Sequence, residues 1–237
     1  MARIIKDDLH LHAYHITAEP NLNDSKKMQR RLRKNDCEKI LFSGEKYFSI
    51  NGICNRQNDR VYAANRQEAD KHGGTKPMVK FSKKIMIWLG ASYKDLTAPI
   101  IFEPGETLKN KNYIGVVLPH ALSEGRRLLG NYFIYQQDGA TPHTHKDSQA
   151  WCARNFPRFI DSDTWPPNST DLNGLDYYVW DAIGNNMHWD SVENYDSLKD
   201  EIKKGFARVP KIDLARSVES WSRRILSILK IKGAYIK

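Results

Sequence analysis

The sequence predicts an α/β fold, a sheet covered by helices. Three observations carry that reading. Short runs rich in Ile, Phe, Tyr and Trp fill the first half, a strand and helices alternate in the middle, and helix-spaced apolar residues fill the end. The 237 residues are enough to bury a core as one large domain, or as a domain with an extension. With 40% hydrophobic and 27% charged residues the chain has the composition of a folded globular protein, which excludes wholesale disorder.

Taken in order, residues 1–35 read as a basic linker with one short helix. Ser25 can cap it, and Met28 and Leu32 lie four apart amid Lys26, Lys27, Arg30, Arg31, Arg33 and Lys34. From Lys39 to Ile50 the run is strand-like and ends at the turn signal Asn51-Gly52, so a hairpin partner should follow. Lys84 to Tyr93 and Ala98 to Phe102 are the next strands. The first of these is almost wholly apolar and is expected to be central. Asn112 to Leu129 carries Ile114, Val117, Leu118, Ala121 and Leu122 at helical spacing, with Pro119 as a candidate kink. A strand from Tyr132 to Gln136 runs into Asp138. A helix from Pro142 to about Asn155, a short strand at Phe159-Ile160, a helix around Leu175 to Met187 and two further helices complete the chain.

Composition narrows the function classes. The apolar runs fall far short of the roughly 20 residues a membrane helix needs, and Asp7, Asp8 and three histidines interrupt the N-terminus where a secretory signal would be apolar. A protein that stays inside the cell, with no membrane partner, is expected. Cys37, Cys54 and Cys152 show no CxxC spacing, so buried free thiols are the default. The His10-x-His12-x-x-His15 cluster has no Cys or acid at matching spacing and argues only weakly for zinc. Net charge is +9. Residues 1–34 hold eight Lys/Arg against four Asp/Glu, and residues 199–237 hold eleven against four, which leaves the middle at −2. Basic ends around a slightly acidic centre suit a site that gathers divalent cations while its flanks meet a phosphate backbone. They suit solvated helix faces equally well.

The most specific segment is Tyr135-Gln136-Gln137-Asp138-Gly139-Ala140-Thr141-Pro142-His143-Thr144. It is followed by Trp165-Pro166-Pro167-Asn168-Ser169-Thr170-Asp171-Leu172-Asn173-Gly174-Leu175-Asp176. Together they resemble the mariner branch of the DDE/D transposases, including the 37 residues between Asp138 and Asp176. Leu41-Phe42-Ser43-Gly44-Glu45-Lys46 looks like the family's first-acid strand, Lys84 to Trp88 like its central strand, and Arg223-Arg224 with Gly233 like its closing helix. The resemblance implies a ribonuclease-H-like fold over residues 36–237, a mixed five-stranded sheet flanked by helices, with 1–35 as a linker remnant. The family's helix-turn-helix region, which reads transposon ends, is expected to be missing. The implied chemistry is metal-dependent cleavage and joining of duplex DNA with Mg²⁺ or Mn²⁺, in a nucleus, by a homodimer.

Three acids suit that chemistry because two hard cations about 3.5–4 Å apart must hold the attacking and leaving oxygens of an in-line displacement. By resemblance Asp138 and Asp176 are two of them, both catalytic and metal-binding. Gly44 stands at the position of the first, which is lost. Glu45, on the opposite strand face, is not expected to replace it. This copy is therefore expected to be inactive, and the alternative is a non-catalytic DNA-binding or interaction module retaining the fold. Thr170 and Gly174 stand where the family has proline, so Gly174 should loosen the start of the Asp176 helix. His143 reads as a supporting residue or as a structural hydrogen-bonder. The lesser reading of Asp138 is a turn residue, and of Asp176 a helix-start acid. DNA contacts are expected from Lys26, Lys27, Arg30, Arg31, Arg33, Lys34, Arg223 and Arg224. The run 26–34 also reads as a nuclear-import signal or a plain solvated face.

Overall fold

The computed structural model describes residues 36–52, 62–74, 83–166 and 169–230. The expected linker 1–35, with its basic run and its histidines, lies outside the described residues. Among those described, no helix is long and apolar enough to cross a membrane.

Five strands form one mixed sheet: β1 (Ile40–Ser49), β2 (Lys84–Ala91), β3 (Ile100–Ile101), β4 (Ile134–Gln136) and β5 (Arg158–Phe159), in the order β3-β2-β1-β4-β5. β1 and β2 are antiparallel from Phe42↔Ala91 to Ser49↔Lys84, and β3 adds antiparallel to β2. β4 runs parallel to β1, from Ile40↔Ile134 to Phe42↔Gln136, and β5 runs parallel to β4. The antiparallel partner of β1 is thus β2. Although β2 lies inside the sheet as its apolar sequence implies, β1 takes the middle position. β2 is apolar because both its faces are covered: Ile85, Ile87 and Leu89 join one core cluster, and Met86 and Trp88 join another.

Alternation sorts β1 in the same way. Leu41 packs with Met86, Trp88 and Phe133 on one face, whereas Phe42 and Phe48 pack on the other against Trp221 and Trp180. Gly44 and Lys46 therefore share the second face, and Ser43 and Glu45 the first.

The helices depart from expectation in several places, the first a short helix, Arg66–Ala69, that runs into a π-helical turn, Asp70–Gly74, ahead of β2. The stretch expected to be one helix from Asn112 opens with a turn, Asn110–Asn112, and a π-helical turn, Tyr113–Val117, before α1 (Leu118–Leu129). Pro119, in the first turn of α1, has no N–H for a regular bond to the preceding turn. The wider Leu118 N–H to Tyr113 O bond just before it changes the helical phase. The helix expected from Pro142 is two, α2 (Thr141–Thr144) and α3 (Lys146–Asn155). His145 breaks it with ψ 136°, and its ring accepts the Asp147 N–H as the cap of α3. Another π-helical turn, Leu175–Val179, leads into α4 (Trp180–Asn185), and α5 (Tyr195–Ala207) and α6 (Lys211–Lys230) follow as expected.

Candidate active site

The parallel β1–β4 pair sets the geometry. Its last partners are Phe42↔Gln136, so Gly44 and Asp138 lie two residues beyond them on adjacent strands, where β4 has ended and β1 continues. Ser43 ties the strands together below this point. Its hydroxyl donates to the Gln136 carbonyl at 2.7 Å and contacts the Tyr135 hydroxyl at 3.0 Å. Asp176 sits in the first turn of Leu175–Val179, and Leu175 and Val179 pack against Phe48 and Leu89. Single-turn π-helices recur at functional sites.

The loop that delivers Asp176 is held from two sides. Asn173 donates to the Ser43 carbonyl at 3.0 Å and accepts the Leu175 N–H at 3.1 Å, which fastens the loop to β1 beside Gly44. From α6, Trp221 Nε1 donates to the Leu172 carbonyl at 2.8 Å, and Arg224 donates to the Asp171 carbonyl at 3.3 Å while stacking 4.0 Å over the Tyr177 ring. Tyr177 completes the clamp by donating to the Ser217 carbonyl at 2.8 Å. Of the two α6 arginines expected to meet DNA, Arg223 is exposed, whereas Arg224 is half-buried in this clamp.

Gly44 is not a position that needs glycine. A Cβ there would lie 3.4 Å from Asn173 Nδ2 and 3.5 Å from Leu175 Cδ1, ordinary contacts, and its φ is not positive. Asp fits. Gly174, where proline was expected, already has a helical φ of −56°.

Asp138 is tightly dressed. Its Oδ1 accepts the Ala140 N–H at 3.0 Å, the local turn contact expected of an Asp before Gly139, and lies 2.6 Å from His143 Nδ1. Burial works against its charge, but the His143 contact and the Ala140 N–H hold the carboxyl below its ordinary value. His143 is buried, and burial alone would lower its pKa. The charges of Glu45 and Asp138 and the hydrogen bonds to both together outweigh this, so the ring is raised to about 10. Asp176 is raised to about 7, first by the surrounding protein, then by the Asp138 charge, with Lys46 opposing. Two carboxylates that repel each other beside a lysine are a place where positive charge is favoured.

Asp138 and Asp176 suit one hard cation with water completing its shell. They do not suit two. The bridging position is Gly44, and among the described residues no group of three or more His, Cys, Asp or Glu is arranged to hold a metal ion. Glu45 and His143 are turned toward each other, on the face of β1 away from Gly44.

The structure thus brings Gly44, Asp138, Asp176 and His143 to one end of the sheet. The six linker cations are outside the described residues, and α6 presents Arg223 at the surface. Sequence reasoning missed Glu45 as the partner of His143, because the two are 98 residues apart and no local pattern links them. It also missed Asn173 as the fastener. Asn173 stands inside the quoted Asp171-Leu172-Asn173 motif, and that was the available signal.

The mixed five-stranded sheet flanked by helices has the ribonuclease-H-like fold. Over 108 residues, 46% of this chain, the sequence is 26% identical to the Tcb2 transposase of Caenorhabditis briggsae, and over 105 residues it is 23% identical to the Tc1 transposase of Caenorhabditis elegans. The matched stretches span 38% and 37% of those relatives. The fold matches the Mos1 mariner paired end complex with Mn at TM-score 0.73 and 17% identity, covering 100% of this chain and 71% of that one. It matches the Mos1 catalytic domain at TM-score 0.67 and 17% identity, covering 95% of this chain and 100% of that one. No family model matches the chain. The sequence matches and the shared fold support a mariner-like transposase catalytic domain, the family the motifs resemble.

Proposed function

We propose that residues 36–237 are a transposase-derived domain whose ancestral reaction is cleavage and joining of duplex DNA with two divalent ions, Mg²⁺ or Mn²⁺, and that this copy has lost the reaction. The observation that carries the proposal is the convergence of Gly44, Asp138 and Asp176 where β1 outruns β4. Metal ions at such a site supply a clamp on the attacking and leaving oxygens. The chain's own residues do the rest. Asp138, held by His143, and Asp176, held by the Asn173 and α6 clamp, present carboxylates; the glycine presents nothing. Loss of outer-sphere partners alone costs about 10–100-fold in metal affinity or activity, and a bridging ligand should cost more. A non-catalytic DNA-binding or interaction module is the second reading, and Gly44 is the observation that favours it. A nuclear location and a homodimer belong to the same proposal, the latter supported by likeness to paired-end complexes of Mos1.

The test is strand cleavage with Mg²⁺ or Mn²⁺ by this chain and by Gly44→Asp. No cleavage is expected from the chain itself, and metal binding with nicking of duplex DNA from the variant. Robust Mg²⁺-dependent cleavage by the unaltered chain, abolished by Asp138→Ala, would overturn the loss of function.

A further inference from the structure

α2 and α3 meet at His145, where the chain turns extended (ψ 136°) and one residue closes the first helix and caps the second. Helix caps are commonly Ser, Thr, Asp or Asn, whose side-chain oxygens accept across the neutral pH range. A histidine cap accepts only while a ring nitrogen is bare. The His145 ring takes the Asp147 N–H on Nδ1 at 3.2 Å, and Asn110 Nδ2 lies 2.6 Å from the same nitrogen. Because a backbone N–H can only donate, Nδ1 must carry the lone pair, and the single proton of the neutral ring sits on Nε2. The other end of the Asn110 amide, Oδ1, lies 3.3 Å from Ser148 Oγ, which donates to the Pro142 carbonyl at 2.7 Å. Gln149 donates to the His143 carbonyl at 2.8 Å and accepts the Ser162 N–H at 3.1 Å. The capped first turn of α3 thus holds α2 by two of its backbone carbonyls.

The same ring has another partner in reach. The Asp147 carboxylate oxygen Oδ2 lies 3.6 Å from Nδ1, and the His145 side chain is 40% exposed, so solvent protons have access to it. A proton on Nδ1 removes the acceptor of the Asp147 N–H and sets donor against donor at Asn110, whereas the nearby carboxylate becomes a charge-assisted acceptor. The charged residues around this junction are Lys146 and Asp147 on α3, His143 on α2, and Lys111 with the preceding Lys109 at the facing turn Asn110–Asn112. Asp147 is the one among them in contact with the ring.

We propose that His145 is a pH-operated cap: neutral, it closes α3 through Nδ1; protonated, it exchanges the Asp147 N–H for the Asp147 carboxylate and loosens the turn that holds α2. The cap is therefore present at high pH and lost as pH falls through the ring's midpoint. The device is independent of the Asp138 and Asp176 carboxylates, since the ring's contacts are Asn110 and Asp147.

The experiment follows the whole chain by NMR from about pH 8 to about pH 5, the range in which imidazoles ordinarily titrate. At the high end the ¹⁵N spectrum of the His145 ring should show Nε2 protonated and Nδ1 bare. Through the ring's midpoint the Asp147 amide proton should move upfield. Protection of the Gln149 amide against exchange, corrected for its intrinsic rate, should fall about fivefold, the scale of a lost cap. His145→Asn supplies a cap that does not titrate and should hold both signals flat. Asp147→Asn keeps the N–H but removes the charged acceptor of the protonated state, so the ring's midpoint should fall. A neutral ring protonated on Nδ1, or an Asp147 amide that ignores the ring's titration, would overturn the proposal in the parent alone. Equal responses in His145→Asn would overturn it by placing the titration elsewhere, and an unchanged midpoint in Asp147→Asn would overturn the exchange of partners.

Discussion

A glycine in mid-strand gives up more backbone entropy than any other residue and packs nothing in return. At Gly44 there is room for a Cβ, and an aspartate there would place a third carboxylate beside Asp138 and Asp176. Gly44→Asp should therefore fold, yet be less stable than the parent without divalent ions, because like charges meet. Mn²⁺ should raise its melting temperature more than it raises the parent's, since a ligand that binds only the folded state stabilises it. Equal Mn²⁺ shifts in thermal melts of the two proteins would refute this. His143 makes a second prediction at the same scale. Its folded pKa of about 10 lies above the ordinary 6.5, so its stabilisation is complete below about pH 6.5 and is lost as pH rises through about 10. Thermal melts across that window should fall more steeply for the parent than for His143→Gln, and parallel slopes would refute it. The meeting of Asp138, Asp176 and Gly44 at one end of the sheet was legible in the sequence because motif and spacing single them out. The bond between Glu45 and His143 was not, because it exists only once β1 and α2 are folded together.

At the scale of elements, hydrophobic pattern sufficed for all five strands, since β-branched and aromatic runs flanked by turn residues have few other readings. It failed where hydrogen-bond phase decides. The π-helical turns at Tyr113–Val117 and Leu175–Val179 and the break at His145 leave apolar spacing almost unchanged, so periodicity cannot see them. The loop into Leu175–Val179 offers two tests. Gly174 has φ −56° and is preceded by extended Asn173 (ψ 117°), both compatible with proline. Gly174→Pro should raise unfolding free energy by about 0.5–1 kcal/mol, read from the urea midpoint; a decrease would show that proline does not fit. Trp221 is fully buried and donates to the Leu172 carbonyl. Trp221→Ala should cost about 3–5 kcal/mol in the same assay. A loss under about 1 kcal/mol would mean that α6 does not clamp the loop.

For the whole molecule, charge is the property that reaches furthest. The excesses of +4 and +7 at the two ends predict weak, sequence-independent binding to duplex DNA, with affinity falling steeply from low to physiological salt. Fluorescence anisotropy against salt concentration checks this, and a flat response would rule out a phosphate-driven mode. The pairing of β1 with β4 has a different consequence. Gly44 and Glu45 come from the half of the chain before α1 ends, while Asp138, His143 and Asp176 come from the half after it. The link between the halves, Gly130 to Tyr132, is exposed. The candidate site thus draws on both halves, joined by the parallel β1–β4 pair. Nicked in that link, or expressed as two pieces, the halves should find each other through the buried faces of β1 and β4, and Mn²⁺ binding should appear only on mixing, because Asp138 and Asp176 both lie in the second half but are held in place by β1 of the first.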